Sequence, residues 1–476
     1  MPTADRTGST TRSAWSEGPW RKEEPKEPPV TETQSSGQAE AGLGRLRAAA
    51  QRDRTLRFNN LMHHIGIDRL RKAYLALNRK AARGVDGLSW KAYGEGLEAR
   101  LVDLHARLHS GRYRPQPVQR VWIPKADGRK RPLGITAVED KLVQQALVGV
   151  LETIYEVDFK GFSYGFRPGR SQHHALDALY VAITQRKVSW ILDTDISTFF
   201  DSVDHDWLMR FVSHRVADRR VLRLIEQMLT AGIMEEGEWQ LSEQGTPQGG
   251  VLSPLLANIY LHYSLDLWVE AWRKRRARGE VYIVRYADDA VLGFQYHDDA
   301  QRLRQDLTER LRRFNLQLHP EKTRLVEFGR FAEANRKQRG QGKPETFAFL
   351  GFTHACAKRR SDGGFTILRT TLAKKLRGFV ERLKDWLLKN RHLPVAEQGR
   401  MVSQKLRGFA LYFGVPGNSG VLSTVRGLAI KIWFRALRRR SQKAVSLNWE
   451  KMKKIVHQWV PSLRIVHPYP NERLRV

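Results

Sequence analysis

Cys356 is the single cysteine in 476 residues. One thiol excludes a disulfide framework and a cysteine-ligated zinc site, and it suits a reducing compartment. Long apolar runs are missing too. Nothing approaches membrane-spanning length, and Met1 to Arg45 has no apolar core of the kind a secretion signal needs. No membrane partner is expected, and the expected location is the cytoplasm, with the nucleoid, or an organelle in a eukaryotic host. Aliphatic side chains are scarce before about residue 40, where Thr, Ser, Gly, Pro and Glu dominate, so residues 1–45 read as a disordered leader. Acids are outnumbered: 50 Asp and Glu face 82 Lys and Arg, a net charge of +32. That excess points to a polyanion partner. Ribosomal and membrane-surface proteins share it, but neither needs an embedded cluster of acids.

Such a cluster is present. Val281-Tyr-Ile-Val-Arg-Tyr-Ala-Asp-Asp-Ala-Val-Leu-Gly-Phe294 reads as a β-hairpin, with β-branched and aromatic runs flanking Ala287-Asp288-Asp289. The Asp pair is open to two readings: ordinary turn chemistry, or carboxylates whose repulsion a bound cation relieves. Upstream, Ser189-Trp-Ile-Leu-Asp-Thr-Asp-Ile-Ser-Thr-Phe-Phe-Asp201 begins as a strand and turns polar at Asp193 and Asp195. Carboxylates leaving a strand end beside a hairpin tip suit a two-metal nucleotidyl transferase.

Asp195-x-x-x-x-Phe200 followed by Tyr286-x-Asp288-Asp289 resembles the pattern of reverse transcriptases, and of their group II intron branch in particular. The resemblance implies that Asp195, Asp288 and Asp289 hold two Mg²⁺ ions, with Mn²⁺ as a substitute. It makes Phe200 the steric gate against a ribose 2′-hydroxyl and leaves Asp193 structural. The basic hairpin over Pro115–Ile135, turning at Asp127-Gly128, is either a solvated edge or a triphosphate cover carrying Lys125 and Arg131. Arg131-Pro-Leu-Gly134 favours the second. Gln244-Gly-Thr-Pro-Gln-Gly-Gly-Val-Leu-Ser-Pro254 resembles the family's dNTP-binding segment, which would set Gln248 beside the nascent base pair. Lys322 matches a Glu-Lys-Thr segment, either as a proton donor to pyrophosphate or as a surface lysine.

Other stretches are read locally. Leu97, Leu101, Leu104 and Leu108 form a helical stripe that also carries His105 and His109, taken as surface histidines. Thr136-Ala-Val-Glu139 is a capping box opening a long helix. Tyr164, Phe166, Arg167 and Arg170 sit in a Gly- and Pro-bounded loop, either a packed turn or, the reading preferred, a surface for stacking and phosphate contact. Ser253 is expected to cap a helix beginning at Pro254, and Leu316 and Leu318 to alternate as a strand. Phe349-Leu-Gly-Phe352 resembles a primer-grip hairpin. Three helical patterns follow, at Leu372/Leu376/Phe379/Leu383/Trp386, Val402/Leu406/Phe409/Phe413 and Val421/Val425/Leu428/Ile432/Ala436.

The expected fold is α+β, a right-hand polymerase of fingers, palm and thumb. Residues 46–365 would form the reverse transcriptase domain, 366–440 a three-helix thumb or maturase domain, and 441–476 a short basic segment without a nuclease. The expected function is RNA-directed DNA synthesis together with splicing assistance. Group II intron RNA, a DNA target and primer, and dNTPs would be the partners. Domesticated phage-defence or CRISPR-linked enzymes, and a non-catalytic RNA-binding maturase, are the alternatives.

Overall fold

In the computed structural model the described residues are 34–124, 130–235, 238–240, 244–246 and 249–473. Four helices come first: α1 (Gln34–Arg52), α2 (Ile67–Ala76), the short α3 (Trp90–Gly94) and α4 (Leu97–His109). The first corrects the leader expected over residues 1–45, because helix begins at Gln34. Leu43, Leu46, Ala49 and Ala50 recur at helical spacing and dock α1 on the main core, so a narrow apolar stripe overrides polar composition. On α4, His105 and His109 are partly buried, their rings tilted to each other with centroids 4.1 Å apart; His109 Nε2 lies 3.1 Å from the Ile65 carbonyl oxygen.

β1 (Val118–Pro124) and β2 (Lys130–Ile135) pair antiparallel, with Ile123 opposite Arg131. The Asp127-Gly128 turn lies outside the described residues. The helices α5 (Val138–Asp158) and α6 (Gln172–Gln185) follow. Thr136 does not cap α5. Ala137 holds that position, the Thr136 hydroxyl is buried with no partner among the described residues, and Glu139 accepts both terminal nitrogens of Arg107 at 2.9 Å. The bidentate guanidinium outcompetes the capping contact.

β3 (Trp190–Thr194) leads through α7 (His205–Ser213) and α8 (Arg219–Leu229) to β4 (Ile233–Glu235) and β5 (Glu238–Gln240), which extend the first hairpin into a sheet ordered β2-β1-β4-β5. Next, α9 (Ser253–Leu261) and α10 (Leu267–Arg275) form one helical course interrupted by a π segment at His262–Asp266. Ser253 is the first helical residue of α9 rather than its cap; Leu252 is the cap, its amide bonded to Gln144 Oε1 at 3.3 Å.

The expected hairpin is β6 (Val281–Tyr286) and β7 (Asp289–Phe294); α11 (His297–Arg312) and β8 (Arg324–Glu327) complete an antiparallel sheet ordered β6-β7-β3-β8. Leu318, expected in a strand, makes an isolated bridge to Ile196, and β8 takes the edge with Leu325 opposite Leu192. Strand alternation divides this sheet's side chains. Leu192, Ile283 and Leu292 join the main core with α9 and α11, while Ile191, Val284 and Val291 face α6 in a second core.

After α12 (Ala332–Gln338), a second three-stranded sheet comprises β9 (Phe347–Phe349), β10 (Phe352–Lys358) and β11 (Phe365–Thr371). The division expected after residue 365 falls on the first residue of β11. The expected bundle is α13 (Ala373–Lys389), α14 (Val395–Phe413) and α15 (Ser419–Arg438). Of the expected stripe on α15, Val425 and Ala436 are buried and Val421 and Ile432 pack at its margin; Leu422, Ala429, Trp433 and Leu437 complete the buried face. Trp433 takes the centre, its Nε1 donating to Gln398 Oε1 at 2.9 Å. Beyond it, α16 (Trp449–Trp459) enters the same core and α17 (Pro470–Arg473) returns to α6. Among the described residues no helix is long and apolar enough to cross a membrane.

Candidate active site

The carboxylates arrive from two adjacent strands. Asp195 leaves the end of β3, and its carbonyl oxygen accepts the His319 amide at 2.7 Å, so the 317–319 segment pins it. Asp288 and Asp289 sit where β6 turns into β7. Tyr286 pairs with Asp289, which leaves Ala287 and Asp288 as the two turn residues. Ala287 has a φ of 56°, a left-handed conformation that a non-glycine residue adopts only when its surroundings impose it.

Asp195, Asp288 and Asp289 lie within one another's electrostatic reach. Burial, then Asp288 and Asp195, push the Asp289 carboxyl up to about 7, although its side chain still reaches solvent at the cleft mouth. Burial raises Asp288 as well, with Asp195 adding to it. Asp193 is pushed up to about 7 by burial and then Asp289, so it feels the cluster from one face of β3. Lys322 Nζ stands 2.5 Å from Asp195 Oδ2. Among the described residues no three side chains already close on one point as a metal site. The donor chemistry nonetheless fits a hard divalent cation: oxygen ligands only, with crowded negative charge that such an ion relieves.

Phe200 lies in a short 3₁₀ turn, Phe199–Asp201, half-buried, with its ring 5.3 Å from Phe199. The Thr246 amide donates to the Phe200 carbonyl at 2.8 Å. Gly245, at a φ of 86°, lies so close that a Cβ would come within 3.0 Å of the same oxygen. The loop carrying Gln248 is thus fastened to the Phe200 backbone, while Gln248 and Lys125 themselves lie outside the described residues. Arg131 projects from β2 into solvent, and its charge reaches Asp288 and lowers that carboxyl's pKa. Between hairpin and loop is a cavity of about 370 Å³, lined among others by Arg120, Trp122, Gly134, Asp201 and Thr246.

Two findings depart from the sequence reading. Arg167 is 7% exposed and spent internally, donating to Glu156 at 2.9 Å and to the Ser163 carbonyl at 2.8 Å, so it is not poised for a phosphate. Phe166 does remain exposed, 6.5 Å from the Tyr286 ring. Sequence reasoning also passed over Arg285, Asp266 and Asn258, all buried behind the turn. The available signal was a charged residue inside an apolar strand and another inside an apolar helical course.

Residues 123–354 match the family Reverse transcriptase (RNA-dependent DNA polymerase). Protein YkfC of Escherichia coli is 33% identical over 356 residues, covering 67% of this chain and 88% of YkfC. Group II intron-encoded protein LtrA of Lactococcus lactis is 42% identical over 173 residues, covering 36% of this chain and 28% of LtrA. The chain belongs to the group II intron reverse transcriptases. Nuclear intron maturase 1, mitochondrial, of Arabidopsis thaliana is 35% identical over 91 residues, 19% of this chain and 12% of the maturase. In this reverse transcriptase the family match runs from β1 into β10, taking in Asp195, Phe200, Asp288, Asp289 and Lys322 and stopping before the helical bundle.

Proposed function

We propose that this reverse transcriptase is an active RNA-directed DNA polymerase that also assists splicing of a group II intron RNA and supports the intron's mobility. The observation that carries the polymerase reading is the coupling of Asp195, Asp288 and Asp289, three carboxylates from two strands whose fields overlap at one cleft. In this reading the β6-β7-β3-β8 sheet is the palm, the β1–β2 hairpin belongs to the fingers, and α13–α15 form the thumb and maturase domain.

Asp195, Asp288 and Asp289 would hold two Mg²⁺ ions, or Mn²⁺ in their place. When bound, the ions supply activation of the primer 3′-hydroxyl and charge neutralisation at the leaving pyrophosphate. The chain's residues do the rest. Lys125 and Arg131 bind the triphosphate, Gln248 meets the nascent base pair, and Phe200 excludes a 2′-hydroxyl sterically. Lys322, ion-paired to Asp195, would protonate pyrophosphate. Splicing assistance needs no catalytic side chain. The basic surface would bind and order the intron RNA, and a DNA target and primer would use the same charge.

Asp288→Ala tests the reading. Primer extension on an RNA template with dNTPs should be abolished while RNA-assisted splicing persists. cDNA synthesis at the wild-type rate would refute the site assignment.

A further inference from the structure

Behind the Ala287-Asp288 turn lies a buried polar network. Arg285 and Asp266 are 0% exposed and pair in two places: Nε to Oδ1 at 2.7 Å and Nη2 to Oδ2 at 2.6 Å. The remaining nitrogen, Nη1, donates to the Ala287 carbonyl at 2.9 Å and to Asn258 Oδ1 at 3.1 Å. Asn258 Nδ2 in turn donates to the Gly165 carbonyl at 2.8 Å. Gly165 presses on the turn so closely that a Cβ there would stand 2.3 Å from the Ala287 nitrogen. The Tyr164 amide and the Arg285 carbonyl, 2.8 Å apart, seal the loop against β6.

Stability alone does not account for this pair. Apolar residues of similar volume commonly replace a buried ion pair without loss. What the pair supplies is geometry. A planar guanidinium reads a carboxylate with one edge and a carbonyl with the other, and only a fixed fork does both at once. Asp266 reaches it because it ends the π segment His262–Asp266, a local widening that re-aims a side chain in an otherwise α-helical course. The Ala287 backbone, left-handed at φ 56°, is the strained point the fork holds.

We propose that Arg285, Asp266 and Asn258 are positioning residues that lock the Ala287-Asp288 turn and join it rigidly to α9, the helix entered from the nucleotide-side loop. The proposal rests on the polymerase reading of the cleft. It makes the metal-site carboxylates and the nucleotide-side helix one body: a displacement of α9 moves the turn with it.

The test uses the full chain and two variants. Asp266→Leu/Arg285→Met replaces the pair with apolar volume, and Arg285→Lys keeps the charge but lacks the fork. In metal-free protein, amide hydrogen exchange across residues 286–290 should speed up in both variants while the other strands of the sheet stay protected. Single-turnover incorporation should fall by about 100-fold, the scale of an ångström-sized misplacement, with primer–template Kd unchanged. Wild-type exchange at the turn, or a wild-type rate in a folded variant, overturns the proposal. So does failure of both variants to fold, which would make the network a folding element. An active Asp288→Ala would instead sink the polymerase reading, and the exchange result would still judge the lock.

Discussion

Burial moves the carboxyls and the histidines of this chain in opposite directions. Asp289 is pushed up to about 7 by burial and by Asp288 and Asp195, and Asp193 to about 7 by burial and by Asp289, a crowding that a bound cation would relieve. His354 and His262 move the other way. Burial first, then Arg369 for His354 and Arg285 for His262, push both down to about 3. A histidine whose folded pKa lies below its unfolded value of 6.5 contributes fully above that value. Its contribution is lost as pH falls from 6.5 towards the folded pKa, because the unfolded chain takes up the proton first. His354 stacks on Phe347 with centroids 4.8 Å apart, so His354→Phe should preserve the packing. At pH 5 the wild type should have lost roughly 2 kcal/mol of stability that the variant keeps. Urea midpoints of the two proteins at pH 7.5 and pH 5 check this; parallel shifts would show that His354 does not carry the effect.

Elements were legible where their signal is local and open where a partner chooses the face. The β6–β7 hairpin could be read because β-branched runs and a polar turn are short-range features. The face of α15 could be read only in part: Val425 and Ala436 are buried as expected, but apolar residues continue round the helix and leave its centre open between Leu428 and Trp433. Trp433 takes it by meeting Gln398 inside the bundle, where it is fully buried. Trp433→Ala should therefore destabilise the bundle by about 3–5 kcal/mol through the cavity it leaves, with a further penalty for the Gln398 oxygen left without its donor. Thermal unfolding measures it. A loss below about 1 kcal/mol would mean the bundle collapses around the gap.

For the whole molecule the governing quantity is charge. An excess of +32 should make binding to intron RNA fall steeply with salt, since each phosphate contact releases a condensed counterion. Affinity measured across a salt series should give a strongly negative slope of log K against log salt. A nearly flat plot would count against a broad phosphate footprint. Charge is a sum over residues and needs no fold to be counted. The tie between the carboxyl-terminal residues and the body is different: His467 stacks 3.7 Å from His173 on α6 and accepts Arg473 Nη2 at 3.0 Å, a contact across nearly three hundred residues.

By itself the sequence determined the mixed α and β character and the order of the elements, because turn chemistry, strand alternation and helical stripes are written within a few residues, and it offered Asp195, Asp288 and Asp289 as candidate site acids. It also marked Lys322, which pairs with Asp195, and Arg131, whose charge reaches Asp288. The tertiary structure alone decided that Arg167 is an internal strut and that α1 folds onto the core. It alone decided that Gly165, Asn258, Asp266 and Arg285 meet behind one turn. Their bonds form between segments far apart in sequence, and a charged residue in an apolar strand announces that it has a partner without saying which.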